Sequence, residues 1–256
     1  MKLSQLLATM ALSVSLYSCG CEDLNLGKLA FTNDLIAFLP AEPAQGQSYF
    51  ALFNGTKHRM NYLAPNGIST VVIPVRKKNY SGKFDPNSCK EYYTAEEKVY
   101  TSQVEGGSPV SISITYRKDA SQERFNNYID KDNVADIIVF GLGYNNRFPA
   151  PIPSGSASIE NYITQRYFIF KDASTSQVDN VTYLQEFLPA VTLNGITYQN
   201  VYHLHMKEQP VYRPEEQYYL EHYPQLDYVQ GIYIKEGVGV MHAYTYKGKQ
   251  MAITVE

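Results

Sequence analysis

The chain has no Trp, only 3 Cys, and a charged fraction of 18% across 256 residues. Without a CxxC pair it offers neither a thioredoxin-like redox site nor a Cys-rich zinc site. Its 22 basic residues against 25 acidic ones give a formal charge of −3, so no basic excess exists to neutralise phosphates, which argues against a nucleic-acid binder. A mean hydropathy of −0.31 with 44% hydrophobic residues argues equally against an integral membrane protein, a disordered tail and a coiled coil. The missing Trp also lowers the weight of a sugar-stacking platform, which favours large flat rings.

What the chain has instead is 23 Tyr and 11 Phe. Tyr suits pleated, half-buried surfaces, so this composition predicts β structure. Val110, Ile112, Ile114 and Tyr116 alternate with Ser111, Ser113 and Thr115, a clear period of two. Ala135–Leu142 is a continuous apolar run suited to a central strand. Strands are also expected at 69–75, 162–170 and 250–255. The runs 181–193 and 196–206 meet at Asn194-Gly195, a strong hairpin signal. Short apolar stretches at 29–31 and 35–39 join the strand-like pattern, the second stopped by Pro40. Helix is scarce: Pro214-Glu215-Glu216 opens one short helix expected near 214–222. The expected fold class is all-β, with antiparallel sheets in a sandwich or curved half-barrel. Residues 148–158 hold three Pro and read as a loop or linker between β regions at 29–147 and 159–256.

The first residues read as a leader. Met1-Lys2 is a positive start, and the apolar run Leu6–Leu16 falls short of the roughly 20 residues that a bilayer-spanning helix takes. Leu16-Tyr17-Ser18-Cys19 resembles a bacterial lipobox, with Tyr17 standing where a small residue is usual. The resemblance implies a signal peptide at 1–18, an acylated (palmitate-type) Cys19 as membrane anchor, and a lipidated tether at 19–28. Two or more acyl chains make such anchoring stable. Gly20 rather than Asp follows the Cys, which favours the outer membrane. The acidic pair Glu22-Asp23 resembles a surface-export signal. After acylation, Cys21 and Cys89 remain as an even pair that could form a disulfide or stay apart.

The opening Asp34-Leu-Ile-Ala-Phe-Leu-Pro, the stretch Leu193-Asn-Gly-Ile-Thr-Tyr-Gln-Asn-Val-Tyr and a strand ending in Gly237-Val238-Gly239 resemble uncharacterised Bacteroidota-type cell-envelope lipoproteins. This implies a lipid-tethered antiparallel β fold and brings no activity with it.

Few constellations carry chemistry. His203 and His205 sit two apart on an expected strand, so both rings point to one face. Such a pair supplies two of the ligands zinc needs, with His222, His242 and Glu208 as alternative third ligands. Half-buried histidines with ordinary hydrogen bonds are the commoner use of such a pair. Asp130, Asp132 and Asp136 lack the spacing of a calcium loop. Gly141-Leu-Gly143 lacks the third glycine of a dinucleotide fingerprint. The tyrosines crowd between Tyr198 and Tyr246, and Tyr212, Tyr218, Tyr219 and Tyr223 are candidate interface residues. No cofactor is expected. The expected role is a non-catalytic binding or assembly component of the envelope, with the membrane, a glycan or an envelope protein as partner and no nucleic acid. The rivals are an envelope hydrolase around His203 and His205, and a structural subunit of a surface complex or polymer.

Overall fold

A computed structural model describes residues 23–62, 67–75, 91–103, 110–119, 134–144, 162–170, 175–178, 181–207, 220–223 and 226–256. Cys19, Cys21, Cys89, Asp130, Asp132, Glu208, Tyr212, Tyr218, Tyr219 and the 148–158 segment lie outside the described residues.

The elements run β1 (Leu24–Leu29), α1 (Asn33–Ala37), β2 (Tyr49–Phe53), β3 (Thr56–Tyr62), β4 (Ser69–Val75), β5 (Glu91–Gln103), β6 (Val110–Asp119), β7 (Ala135–Tyr144) and β8 (Tyr162–Phe170). They continue with β9 (Thr175–Val178), β10 (Val181–Leu193), β11 (Ile196–Met206), β12 (Val229–Lys235), β13 (Gly239–Thr245) and β14 (Gln250–Val255). The fold is all-β. One antiparallel path runs β8-β7-β6-β5-β3-β2-β14-β13-β12-β11-β10-β9. The C-terminal strand β14 pairs with β2, so the two halves of the chain are sewn together in the middle of the sheet. The path then curls back, and β12 comes against β7 and β8.

β5 is long enough to serve two pairs of neighbours. β3 and β4 line one edge in succession, as an interrupted strand. β6 takes the C-terminal part of the other edge, and β1 runs parallel to the remainder. The segment expected to be tether therefore overlaps a strand from Leu24 onward.

Two-residue turns set the hairpins. Asn54-Gly55 and Asn194-Gly195 all have positive φ (50° and 78°, 50° and 81°), the mirror-image turn whose twist matches paired strands. β3 was not legible as a strand because its residues, TKHRMNY, are mostly polar. Its alternation is real nonetheless: His58 and Met60 are buried while Lys57 and Arg59 face water. β9 likewise stands where a polar turn was expected.

The stretch 35–39, expected to be extended, begins inside a helix. Thr32 caps it by accepting from the Leu35 N–H at 3.2 Å, and Asp34 sits in the first turn. Leu35 and Phe38 then fall on one buried stripe. The Thr32 hydroxyl donates to Asp136, tying α1 to the start of β7. Burial raises the Asp136 carboxyl above the ordinary carboxylate range, and the Thr32 bond opposes that shift. Of the helix expected near 214–222, residues 220–222 form a helical turn and 214–219 lie outside the described residues.

One core serves both halves: Ile112, Phe140 and Phe168 pack in the same cluster as Leu204, Ile232 and Ala243. Much of the Tyr content works here. Tyr49, Tyr100 and Tyr116 contact edge to face with centroids 6.0 Å apart in each pair. The hydroxyls of Tyr116 and Tyr144 reach backbone far away in sequence. The Tyr116 hydroxyl accepts from the Val240 N–H at 2.9 Å, and Tyr144 donates to the Asp227 carbonyl at 3.1 Å. A buried Tyr thus gives apolar area and a hydrogen bond that links β6 or β7 to the C-terminal half. Among the described residues no helix is long and apolar enough to cross a membrane.

Candidate functional site

The β10–β11 hairpin fixes the site. Its turn puts Leu193 opposite Ile196, and the unbroken count outward puts Glu186 opposite His203 and Leu184 opposite His205. The next ladders place Tyr233 and Gly231 opposite those histidines, and then His242 and Tyr244 on β13. Because side chains alternate along a strand, Glu186, His203, His205, Tyr233, His242 and Tyr244 share one face. Phe187, Tyr202 and Leu204 project from the other.

On the first face Glu186, His203 and His205 bring ligand-type atoms within 4.8 Å of one another. Glu186 Oε2 lies 3.5 Å from His203 Nδ1 and 3.6 Å from His205 Nε2. The His203 ring is sandwiched in parallel between His205 at 4.2 Å and Tyr233 at 4.3 Å. Its Nε2 meets the Tyr244 hydroxyl at 3.0 Å. Gly231 makes that contact possible: a Cβ there would stand 2.4 Å from the Tyr244 ring.

The electrostatics follow from burial. Desolvation, with His205 adding to it, holds the His203 imidazole down to about 4, while the Glu186 hydrogen bond and charge pull the other way. Burial pushes the Tyr244 phenol up to about 12, with Tyr233 and Glu186 adding to the shift. Tyr244 therefore stays protonated near neutrality and His203 stays neutral. Glu186 is half exposed, so the cluster opens to solvent at one side.

Of the alternative third ligands, neither described histidine joins the pair. His222 is exposed on the helical turn. His242 lies beyond Tyr233, edge-on to that ring at 5.8 Å, with neither ring nitrogen hydrogen-bonded. The acid that does join, Glu186, was passed over because it sits on the other arm of the hairpin. The register implied by Asn194-Gly195 is the signal that finds it. Tyr223, expected at an interface, is instead buried among core residues, so it presents almost no surface to a partner.

The opposite face carries a second feature. A cleft of about 790 Å³ opens where α1 meets the root of the β10–β11 arm. Phe38 packs edge-on to Tyr202 at 5.4 Å, and Phe187 packs on Tyr202 at 5.2 Å. Asp34, Asn200, Lys235 and Glu236 add polar groups of both charge signs to the lining. Phe38 and Phe187 carry no sequence signal for this cleft, because they become neighbours only after α1 folds under the arm.

No protein-family model, curated protein or solved structure matches the chain.

Proposed function

We propose that the chain is a lipid-anchored, non-catalytic binding component of the bacterial cell envelope, held at the outer membrane through Cys19, that takes its partner in the cleft beneath the β10–β11 arm. The observation that carries this reading is the lining of that cleft. Three packed aromatic side chains give a rigid apolar wall, and polar groups of both signs stand ready to orient a ligand. Phe187 remains 52% exposed, which leaves its ring available for contact. A glycan or an extended segment of another envelope protein suits such a surface.

Two rivals are weaker on this geometry. Assembly by strand addition draws on the arm itself. Among the described residues β9 pairs only as far as Leu184, and β12 pairs only from Val201 onward. Pro189 donates no ladder hydrogen bond, and the β10–β11 pairing skips it and Asn200, so the arm is not a continuous template. A hydrolase draws on Glu186 beside two imidazoles, but that cluster and the cleft lie on opposite faces of the hairpin. Binding and chemistry would then be separated by the sheet.

The anchor is tested by Cys19→Ala in a membrane host with detergent phase partitioning. The wild-type chain is expected in the detergent phase and the variant in the aqueous phase; a variant that stays in the membrane fraction would contradict lipid anchoring. The cleft is tested by retention of the detergent-solubilised chain on immobilised peptidoglycan, envelope glycans and envelope proteins. One class is expected to retain wild type, and Phe187→Ala and Tyr202→Ala are expected to abolish that retention. Equal retention of all three chains would sink the cleft as the binding site.

A further inference from the structure

We propose that Glu186, His203 and His205 form a binding site for a divalent transition-metal ion of the zinc class. The site lies on the face of the hairpin opposite the cleft, so it stands independently of the binding role given above.

Donor spacing is the first support. Zinc holds nitrogen and oxygen ligands at about 2.0–2.2 Å in a tetrahedron, which sets neighbouring donor atoms about 3.4 Å apart. The two distances from Glu186 Oε2, 3.5 Å to His203 Nδ1 and 3.6 Å to His205 Nε2, match that spacing. Two imidazoles with one carboxylate favour a borderline ion over magnesium or calcium, which prefer all-oxygen ligands.

The surroundings of His203 are the second support. A ligating histidine is usually oriented by a partner on its other ring nitrogen. Here the Tyr244 hydroxyl holds Nε2 at 3.0 Å and so aims Nδ1 at Glu186. The sheet builds this contact deliberately into its register: Gly231 opposite Tyr244 clears the space its ring occupies. Tyr233 stacks flat on the free face of His203 and fixes the plane of the ring.

His205 must adjust. Its ring lies parallel to that of His203, with 10° between planes, so the two cannot both direct a lone pair at one ion as they stand. A rotation about its Cβ–Cγ bond brings Nε2 towards the shared point. No hydrogen bond opposes the turn, because that nitrogen is buried without a hydrogen-bond partner. Coordination would satisfy it. Three protein donors leave a fourth position for water or for a donor atom of a bound partner, on the side where Glu186 meets solvent.

The test uses the full chain in detergent, stripped with a chelator and titrated with zinc ions in the presence of excess magnesium. One zinc per chain is expected. Glu186→Gln and His205→Ala should each weaken binding by more than the roughly 10–100-fold that loss of an outer partner costs, and Tyr244→Phe should fall within that range. Cobalt(II) in place of zinc should give the intense visible absorption of a tetrahedral ion, and Glu186→Gln should reduce it. Glu186 is half exposed, so its variant keeps the question decidable if His205→Ala fails to fold. Absence of stoichiometric zinc on the wild-type chain, or unchanged affinity in a folded Glu186→Gln variant, would overturn the site. Either result leaves the cleft reading untouched.

Discussion

Asp227→Ala is expected to lower the unfolding free energy by about 3–5 kcal/mol, because it removes two hydrogen bonds to a buried carboxylate at about 1.5–3 kcal/mol each. Asp227 is fully buried. Its Oδ1 accepts from the backbone N–H groups of Tyr228 at 2.9 Å and Lys247 at 3.2 Å, and its Oδ2 faces the Lys249 ammonium at 3.9 Å. The Lys247 ammonium in turn donates to the carbonyls of Leu220 and Tyr223, at 3.0 and 3.3 Å. The Asp227 carbonyl receives the Tyr144 hydroxyl from β7. One carboxylate thus clasps the segment entering β12, the turn after β13 and, through its own backbone, the first half of the sheet. Alanine leaves the buried Tyr228 N–H and the part-buried Lys247 N–H without that acceptor and removes the carboxylate that faces Lys249. Asp227→Asn keeps an acceptor and should cost less, about 1–3 kcal/mol. Urea unfolding of the three chains checks this. A midpoint for Asp227→Ala indistinguishable from wild type would show that the clasp contributes nothing.

Gly239→Ala should come next in size, at about 3 kcal/mol, from two causes that add. Gly239 has φ +77°, a region that costs a residue with a side chain on the order of 1–2 kcal/mol. A Cβ there would also stand 2.7 Å from Pro40 Cγ and 2.8 Å from the Tyr116 hydroxyl. Neither neighbour gives way freely. Pro40 is a rigid ring, and Tyr116 is held by the Val240 N–H and stands edge-on to Tyr100. Overpacking of this kind costs typically 1–3 kcal/mol. Gly237 is the control, because it has φ +72° but nothing within 4 Å of its Cβ position. Gly237→Ala should therefore show the backbone cost alone, and thermal or urea unfolding separates the pair. Equal losses at the two positions would mean that the contact with Pro40 and Tyr116 is unimportant.

Strands with a period of two, or with a continuous apolar run, were legible, although β6 and β7 run past the expected ends at Tyr116 and Leu142 to Asp119 and Tyr144. β10, β11 and β14 have the bounds their patterns suggest, because local patterning and turn chemistry agree there. β3 and β9 were not legible, since strands low in apolar residues look like loops until their neighbours are known. α1 was missed for the opposite reason. Its short apolar run fits either period, and only the Thr32 cap and Asp34 tip the choice towards helix.

The site divides in the same way. His203 and His205 were visible as a pair because they are two apart on one strand. Glu186 was reachable through the hairpin register, yet composition gave no reason to look there. The cleft was not reachable at all: Phe38 and Phe187 are brought together by the packing of α1 against the arm, a long-range event without a local signature. The abundant Tyr residues turn out to serve both uses. Tyr49, Tyr100, Tyr116 and Tyr144 build the core, whereas Tyr202, Tyr233 and Tyr244 frame the two candidate sites.

The absence of Trp offers the most direct test of the cleft. Phe187→Trp would place the chain's single indole on the cleft wall, at a half-exposed position that tolerates the larger ring. Its emission is titrated with peptidoglycan fragments, envelope glycans and envelope proteins. A saturable change with one class, lost when Tyr202→Ala is added, is the expected result. Emission that no class moves, while the wild-type chain still binds one of them, would contradict the cleft as the place where the partner is held.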